Sequence, residues 1–148
     1  MQTQWFRDGY EISTDLFRLH VDVIHGFLSE ESYWSPGIPR SLVEQAINNS
    51  LCFGVYKGAE QVGFARVVTD KTTFAYLGDV FIVSAHRGKG LSKWLMQCVV
   101  AHQDLQGLRR FLLFTSDAHG LYRQFGFEQV QDPSRAMEIV RRDIYRSP

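Results

Sequence analysis

Two glycines stand among positively charged residues in the segment Arg87-Gly88-Lys89-Gly90-Leu91-Ser92. An apolar run over residues 80–83 precedes this segment, and apolar residues at helical spacing begin near Gly90. The first turn of a helix leaves about four backbone N–H groups without partners and carries partial positive charge. Glycine has no Cβ atom, so an anion can approach those N–H groups closely. The segment therefore predicts a binding site for a diphosphate group.

Three other interpretations compete with this diphosphate site. A dinucleotide-binding fingerprint needs a third glycine at position 93, where Lys93 stands. A P-loop needs Gly-Lys followed by Ser or Thr, and here Gly88 and Lys89 are followed by Gly90. The residues therefore exclude both nucleotide-binding classes. A tight turn that needs glycine only for its backbone conformation stays open.

A second motif lies downstream, in the segment Leu121-Tyr122-Arg123-Gln124-Phe125-Gly126-Phe127. In residue type, order and spacing, the two segments resemble the GNAT superfamily of N-acetyltransferases. The family hallmark is Arg or Gln, two residues, Gly, one residue, and Gly or Ala. Ser92 replaces the last small residue of that hallmark, and Ser84 stands where many members carry proline. The resemblance covers residues 73–127 and implies an enzyme that uses acetyl-CoA as its acetyl donor.

The resemblance also implies a role for each residue of these motifs. The backbone N–H groups of residues 88–92 would hold the diphosphate of acetyl-CoA, and the pantetheine arm would pair with the preceding strand. An N–H of Val80 or Ile82 would polarise the thioester oxygen. The cofactor-binding candidates are Val80, Phe81, Ile82, Arg87, Gly88, Lys89, Gly90, Leu91, Ser92 and Asp117.

Two of these roles have structural alternatives. Tyr122 would protonate the departing CoA thiolate, because a phenol still carries its proton at neutral pH. The alternative for Tyr122 is an aromatic ring that packs against a helix–strand corner. Asp117 would either bond a pantetheine amide or cap the helix that follows it.

An attacking amine must be neutral, so a base or a chain of water molecules must accept its proton. Asp79 is the candidate base, because a carboxylate in an otherwise apolar strand is costly to bury unless it is paired. An ion pair with Arg66 is the alternative explanation for Asp79. Tyr76 and Asp70 are reserve candidates.

The acceptor pocket is expected between the loop over residues 29–40 and the strands. Its substrate-binding candidates are Tyr33, Trp34 and Arg66. An exposed Tyr-Trp pair suits a flat or cationic substrate, whereas a Trp34 that only anchors the loop on the core is the alternative. Arg66 would hold a substrate carboxylate or pair with an acid such as Asp79.

Hydrophobic periodicity predicts the elements that position these residues. A first helix is expected from about Asp15, and Ser41 with Glu44 forms a capping-box pattern that predicts a second. Two more helices are expected from Gly90 and over residues 117–125, the last ending at Gly126. Strands are predicted over residues 10–13, 51–57, 61–69, 73–83, 110–115, 127–130 and 136–142. This order indicates one α/β (α+β) domain over residues 1–148, a GNAT-like fold whose mixed, mostly antiparallel sheet of about six to seven strands is flanked by about four helices.

Composition limits the remaining function classes. The chain has 148 residues with 16 basic and 16 acidic side chains, so we expect no nucleic-acid partner and no membrane partner. Cys52 and Cys98 lie in apolar runs and are expected to be buried free thiols. The five histidines lack metal-ligand spacing, so no metal is expected. The absence of a signal-peptide core and of a long apolar stretch makes a cytoplasmic protein the default expectation.

Besides a glycine-loop protein for some other nucleotide, two function classes remain compatible with the sequence. The first is an N-acetyltransferase that transfers the acetyl group to a primary amine by direct attack in a ternary complex. The second is a non-catalytic acetyl-CoA-binding sensor or interaction module, which would have no need of Tyr122 as a proton donor. The expected acceptor is a small-molecule or peptide amine whose identity the sequence does not specify, and a homodimer through the last strands is compatible with the sequence.

Overall fold

The structure, a computed structural model that describes residues 2–146, contains one six-stranded sheet and four α-helices. The strands are β1 Gln4–Arg7, β2 Tyr10–Ser13, β3 Leu51–Lys57, β4 Glu60–Thr69, β5 Phe74–Ile82 and β6 Arg110–Leu113. The helices are α1 Val21–Glu30, α2 Arg40–Asn48, α3 Leu91–Ala101 and α4 His119–Arg123.

The strands lie in the order β1-β2-β3-β4-β5-β6. The first five pair antiparallel with their neighbours, and β6 pairs parallel to β5. A parallel neighbour requires a crossover connection, which α3 provides between β5 and β6. The sheet is therefore mixed and mostly antiparallel, as the sequence predicts.

Hydrophobic side chains pack on both faces of this sheet. One cluster joins α3 to the strands and includes Trp94, Leu95 and Phe53. The other joins α1 and α2 to β4 and β5 and includes Ile24 and Phe64. Strand β5 contributes side chains to both clusters and is therefore held between two packed layers, whereas β6 contributes to the α3 cluster.

Several sequence-based predictions about element boundaries are wrong. The first helix begins at Val21 instead of Asp15, because Asp15 accepts the N–H of Phe17 and caps a short 3₁₀ turn. The predicted capping box does not form, since α2 begins at Arg40, before Ser41. Glu44 instead pairs with Arg40, whose Nε lies 3.0 Å from its Oε1.

The two ends of the chain also differ from the prediction. Strand β1 was not predicted, although Asp8 and Gly9 have the positive φ angles of a tight hairpin turn. The strands predicted over residues 127–130 and 136–142 are wrong for this structure. Within residues 2–146, these segments contain no strand, and every residue from 128 to 144 is exposed.

Candidate active site

A cleft opens where β5 and β6 separate. Their pairing begins at Phe74 with Arg110 and ends at Leu77 with Leu113. Beyond this point the two strands line a cleft of about 860 Å³. Its walls contain most of the predicted site residues: Tyr33, Trp34, Arg66, Tyr76, Asp79, Val80, Phe81, Ile82, Arg87, Ser92, Asp117 and Tyr122.

A β-bulge at Asp79 shapes the β5 wall of this cleft. Phe64 pairs with Phe81 and Arg66 pairs with Gly78, so two β5 residues oppose one residue of β4. Asp79 itself has φ +54°, a left-handed conformation that Asp and Asn tolerate better than most residues. A bulge bends its strand and leaves one residue outside the regular ladder. The bulge therefore redirects β5 at the point where it leaves β6.

The glycine segment forms the turn between β5 and α3. Gly88 and Gly90 have φ angles of +78° and +75°, and a Cβ atom at either position would meet nothing within 4 Å. Gly90 immediately precedes α3 and is its N-cap. A ligand can therefore approach the unpaired N–H groups at the start of this eleven-residue helix. These features fit a diphosphate group.

Two hydrogen bonds hold this turn against the sheet. The Nε of Arg87 donates to the carbonyl oxygen of Ile82 over 2.9 Å. The Tyr10 hydroxyl and Nδ1 of His86 are 2.8 Å apart.

The side chains of the glycine segment point in different directions. Lys89 borders a separate surface pocket beside Tyr10 and His86, and Leu91 is buried in the core. Lys89 and Leu91 therefore enter the predicted diphosphate site only through their backbone.

Tyr122 lies on the α4 side of the cleft with 9% of its surface exposed. Its ring packs edge-on against Phe127, with centroids 6.0 Å apart, so the packing alternative describes part of its environment. Burial, with smaller contributions from Tyr33 and Asp117, raises the pKa of Tyr122 to about 12. The hydroxyl therefore keeps its proton throughout the neutral range.

The loop between α1 and α2 bridges the two walls of the cleft. On the β6 side, the N–H of Ser116 donates to the Tyr33 hydroxyl over 3.1 Å. On the β5 side, Nε1 of Trp34 donates to Oδ1 of Asp79 over 2.8 Å. The rings of Tyr33 and Trp34 contact each other edge-to-face. Ser116 has no sequence motif around it, and no sequence signal identified it.

Asp79 forms an ion pair with Arg66, as the alternative interpretation of both residues predicts. The Nε of Arg66 lies 2.7 Å from Oδ2 of Asp79, and the Asp79 side chain is 11% exposed. Nη1 of Arg66 also donates to the Ser50 hydroxyl. Each carboxylate oxygen of Asp79 thus accepts one hydrogen bond, the second from Trp34. The charge of Arg66 is compensated inside the protein.

The reserve candidates for the base fall in different places. Tyr76 lines the cleft, and burial followed by the charge of Asp79 raises its pKa. Asp70 does not line the cleft and instead accepts hydrogen bonds in its own turn, chiefly from Thr73. These bonds hold the pKa of Asp70 well below its usual range. The prediction that Asp70 is a reserve base is therefore wrong, because Asp70 does not line the cleft.

Asp117 lines the cleft but does not cap α4. The N-cap of α4 is Ala118, and no side chain makes a cap bond there. The hydroxyl of Thr115 instead accepts the N–H of Ala118 over 3.1 Å. The capping interpretation of Asp117 is therefore wrong, and the interaction with a pantetheine amide stays a prediction.

Three further observations concern cysteine, metal and membrane chemistry. Cys52 and Cys98 are buried free thiols, as predicted, and burial raises the pKa of each to about 12. Among residues 2–146, no group of three or more His, Cys, Asp or Glu side chains is arranged to hold a metal ion. In the same range, no helix has the length and apolar character needed to cross a membrane.

Residues 48–129 match the model of the Acetyltransferase (GNAT) domain. The chain belongs to the GNAT acetyltransferase family. A presumed acetyltransferase from Gibberella zeae is 36% identical over 80% of this chain and 78% of its own length. A presumed GNAT-family acetyltransferase from Xanthomonas campestris pv. campestris has a crystal structure with a TM-score of 0.92, at 51% identity over 93% of this chain and 97% of that one.

The fold extends to more distant family members. A predicted acetyltransferase from Clostridium acetobutylicum, solved with acetyl-CoA, has a TM-score of 0.66 at 13% identity. The alignment covers 95% of this chain and 96% of that one. At this identity the likeness shows a shared fold.

Proposed function

We propose that this GNAT protein transfers the acetyl group of acetyl-CoA to a primary amine by direct attack in a ternary complex. The observation that carries the proposal is the cleft between β5 and β6. Arg87 and Ser92, which flank the open glycine turn, line this cleft, and the protonated phenol of Tyr122 lies on its wall. Binding without turnover would not require a proton donor at that place.

The chain's own groups then have defined tasks. The N–H groups at residues 88–92 bind the diphosphate, and an N–H of Val80 or Ile82 stabilises the negative charge that develops on the thioester oxygen. The new bond joins the amine nitrogen to the acetyl carbon, and the carbon–sulfur bond breaks. Tyr122 gives its proton to the departing sulfur. Asp117 bonds an amide of the pantetheine arm.

The proton of the amine leaves on the opposite side of the reacting carbon from the sulfur. Asp79 is the candidate acceptor, because its carboxylate lies at the bulge where the strands separate. Each of its oxygens already accepts one hydrogen bond and retains a second acceptor position. Asp79 also holds Trp34 and Arg66, so it has both a proton-accepting and a positioning role in this proposal.

Tyr122→Phe separates an enzyme from a binding module. The wild-type protein, acetyl-CoA and a panel of primary amines are incubated with a thiol reagent that reports released CoA. In the variant we expect kcat to fall about 10²- to 10⁴-fold while the Kd for CoA stays unchanged. Intact CoA binding with no amine-dependent CoA release by the wild-type protein would contradict catalysis and favour the sensor or interaction module.

We also propose that two copies of the chain associate through the segment over residues 128–144. Met137 and Ile139 alternate along this extended segment and are 96% and 88% exposed. Strand β6 is an edge of the sheet within residues 2–146, so its outer backbone groups are free to pair with an added strand. In such a dimer, the segment over residues 128–144 of each copy pairs with β6 of the other copy, so the two contacts are related by symmetry.

A further inference from the structure

A second cavity lies between α1, α2 and the sheet, next to the cleft. Its volume is about 390 Å³, within the range of small-ligand pockets. Arg66, Asp79 and Ser35 line both this cavity and the cleft, so the two spaces meet at the ion pair. The apolar side of the cavity is lined by Ile24, Leu28, Ile38, Val43, Ala46 and Phe64, and its polar side by Ser35, Gln45, Asn49 and Tyr145.

The charges around this cavity limit what it can hold. Among the described residues, Arg66 and Asp79 are the charged side chains that line it, and they neutralise each other. A second charged group on a ligand would therefore find no counter-charge inside. The apolar lining residues that retain the most exposed surface are Ile38, Leu42 and Ala46, so an apolar group placed against them would lose part of its contact with water.

The direction of the acceptor follows from the cleft. In the proposed reaction, the sulfur lies toward Tyr122 and the incoming nitrogen lies beside Asp79. The rest of the acceptor must extend away from the sulfur, and the space beyond Asp79 and Arg66 is the apolar cavity. The amine nitrogen donates a hydrogen bond to an acceptor position that Asp79 retains, and the cavity receives the group attached to the nitrogen.

We propose that the acceptor is a small primary amine that bears an aryl or branched alkyl group, and that this group occupies the cavity. The inference rests on the proposed acetyltransferase function and specifies its substrate class. It predicts a preference for apolar amines over amines of equal basicity that lack the apolar group. Phosphorylated sugars and polyamines, which carry further charges, are expected to be poor acceptors.

The first experiment uses the wild-type protein at saturating acetyl-CoA. Phenethylamine and ethylamine are compared as acceptors by their kcat/KM values, and a series of n-alkylamines from ethylamine to hexylamine is measured beside them. Burial of a large apolar side chain corresponds to a preference of about 10- to 150-fold. We therefore expect this preference for the aryl amine, and a rise of about fourfold per added methylene until the cavity is filled.

The second experiment fills the cavity. Ala46 lies on α2 with its side chain in the cavity wall, and Ala46→Trp should lower kcat/KM for phenethylamine at least about tenfold. The ratio of the kcat/KM values for phenethylamine and ethylamine should fall as well, while the Kd for CoA stays as in the wild type. Ala59→Trp is the matched control, because Ala59 is exposed in the turn between β3 and β4. Thermal melting shows whether each variant is folded.

The outcomes separate this inference from the function on which it rests. Equal kcat/KM values for ethylamine and phenethylamine, with no trend along the alkyl series, would overturn the cavity assignment while leaving the acetyltransferase intact. No turnover of any amine by the wild-type protein would overturn both. The alkyl series needs no variant, so a misfolded Ala46→Trp protein would not prevent the decision.

Discussion

Replacing Gly90 with alanine tests whether the backbone at the start of α3 binds a diphosphate. Gly90 has φ +75°, and an added Cβ would meet no protein atom within 4 Å. In the free protein, alanine therefore costs only the left-handed backbone, about 1–2 kcal/mol. For a chain of this size, that loss corresponds to a fall in Tm of about 2–8 °C.

Gly107 provides a matched control for this strain. Its φ is +70°, and an added Cβ there also meets nothing within 4 Å. Gly107 follows the short turn at residues 103–105 and does not line the cleft. Gly107→Ala should therefore lower Tm by a similar amount and leave the CoA site unchanged.

The two variants should differ in CoA binding. A methyl group at position 90 stands where the diphosphate approaches the N–H groups, and loss of one hydrogen bond to a charged group costs about 1.5–3 kcal/mol. Calorimetric titration should therefore give a CoA Kd about 10- to 150-fold weaker for Gly90→Ala and an unchanged Kd for Gly107→Ala. An equal loss of stability in both variants with wild-type CoA affinity in both would refute the diphosphate site.

Four further predictions follow from the contacts around the cleft, the core and the final segment. Because the pKa of Tyr122 is raised to about 12, kcat should not decline between pH 8 and 10.5, and a loss of rate centred near pH 10 would contradict its role as the acid. Asp79→Asn should lower kcat with little change in the acceptor KM, because Asp79 accepts the proton of the amine; an unchanged kcat with a raised acceptor KM would contradict this and leave Asp79 only the positioning role. Burial lowers the pKa of His102 below its ordinary value of 6.5, so as the pH falls the unfolded chain binds the proton before the folded protein does. Urea denaturation should therefore show that the free energy of unfolding falls as the pH drops through 6.5, and this pH dependence should be smaller in His102→Gln. Light scattering should detect a dimer of the wild-type protein and a monomer of the double variant Met137→Asp, Ile139→Asp, whereas a wild-type monomer would contradict the proposed association.

The region of the fold that surrounds the glycine turn could be predicted from the sequence. An almost continuously apolar strand, a glycine turn and a helix with period 3.6 follow one another over residues 74–101, and each leaves a local signal. The hairpin formed by β3 and β4 also leaves a local signal, because a short turn with Gly58 separates two strand-like runs. Tyr122 belongs to the second motif, and Asp117 follows the strand that precedes the motif's helix; both line the cleft.

Contacts between distant segments could not be predicted in the same way. The bond between Ser116 and Tyr33 joins residues 83 positions apart, and no local pattern encodes it. The Asp79 bulge depends on the register between β4 and β5, which is a property of the paired strands. The final segment has an alternating pattern typical of a strand, but a strand also needs a neighbour. Within residues 2–146 of a single copy, that neighbour is not provided.

A crystal structure of the protein with CoA would show whether the glycine turn and Tyr122 act on the same ligand. We expect the diphosphate to lie within hydrogen-bonding distance of backbone N–H groups at residues 88–92, and the sulfur to face the Tyr122 hydroxyl between β5 and β6. A CoA molecule bound elsewhere, or a sulfur beyond the reach of Tyr122, would contradict the proposed acetyl-CoA site.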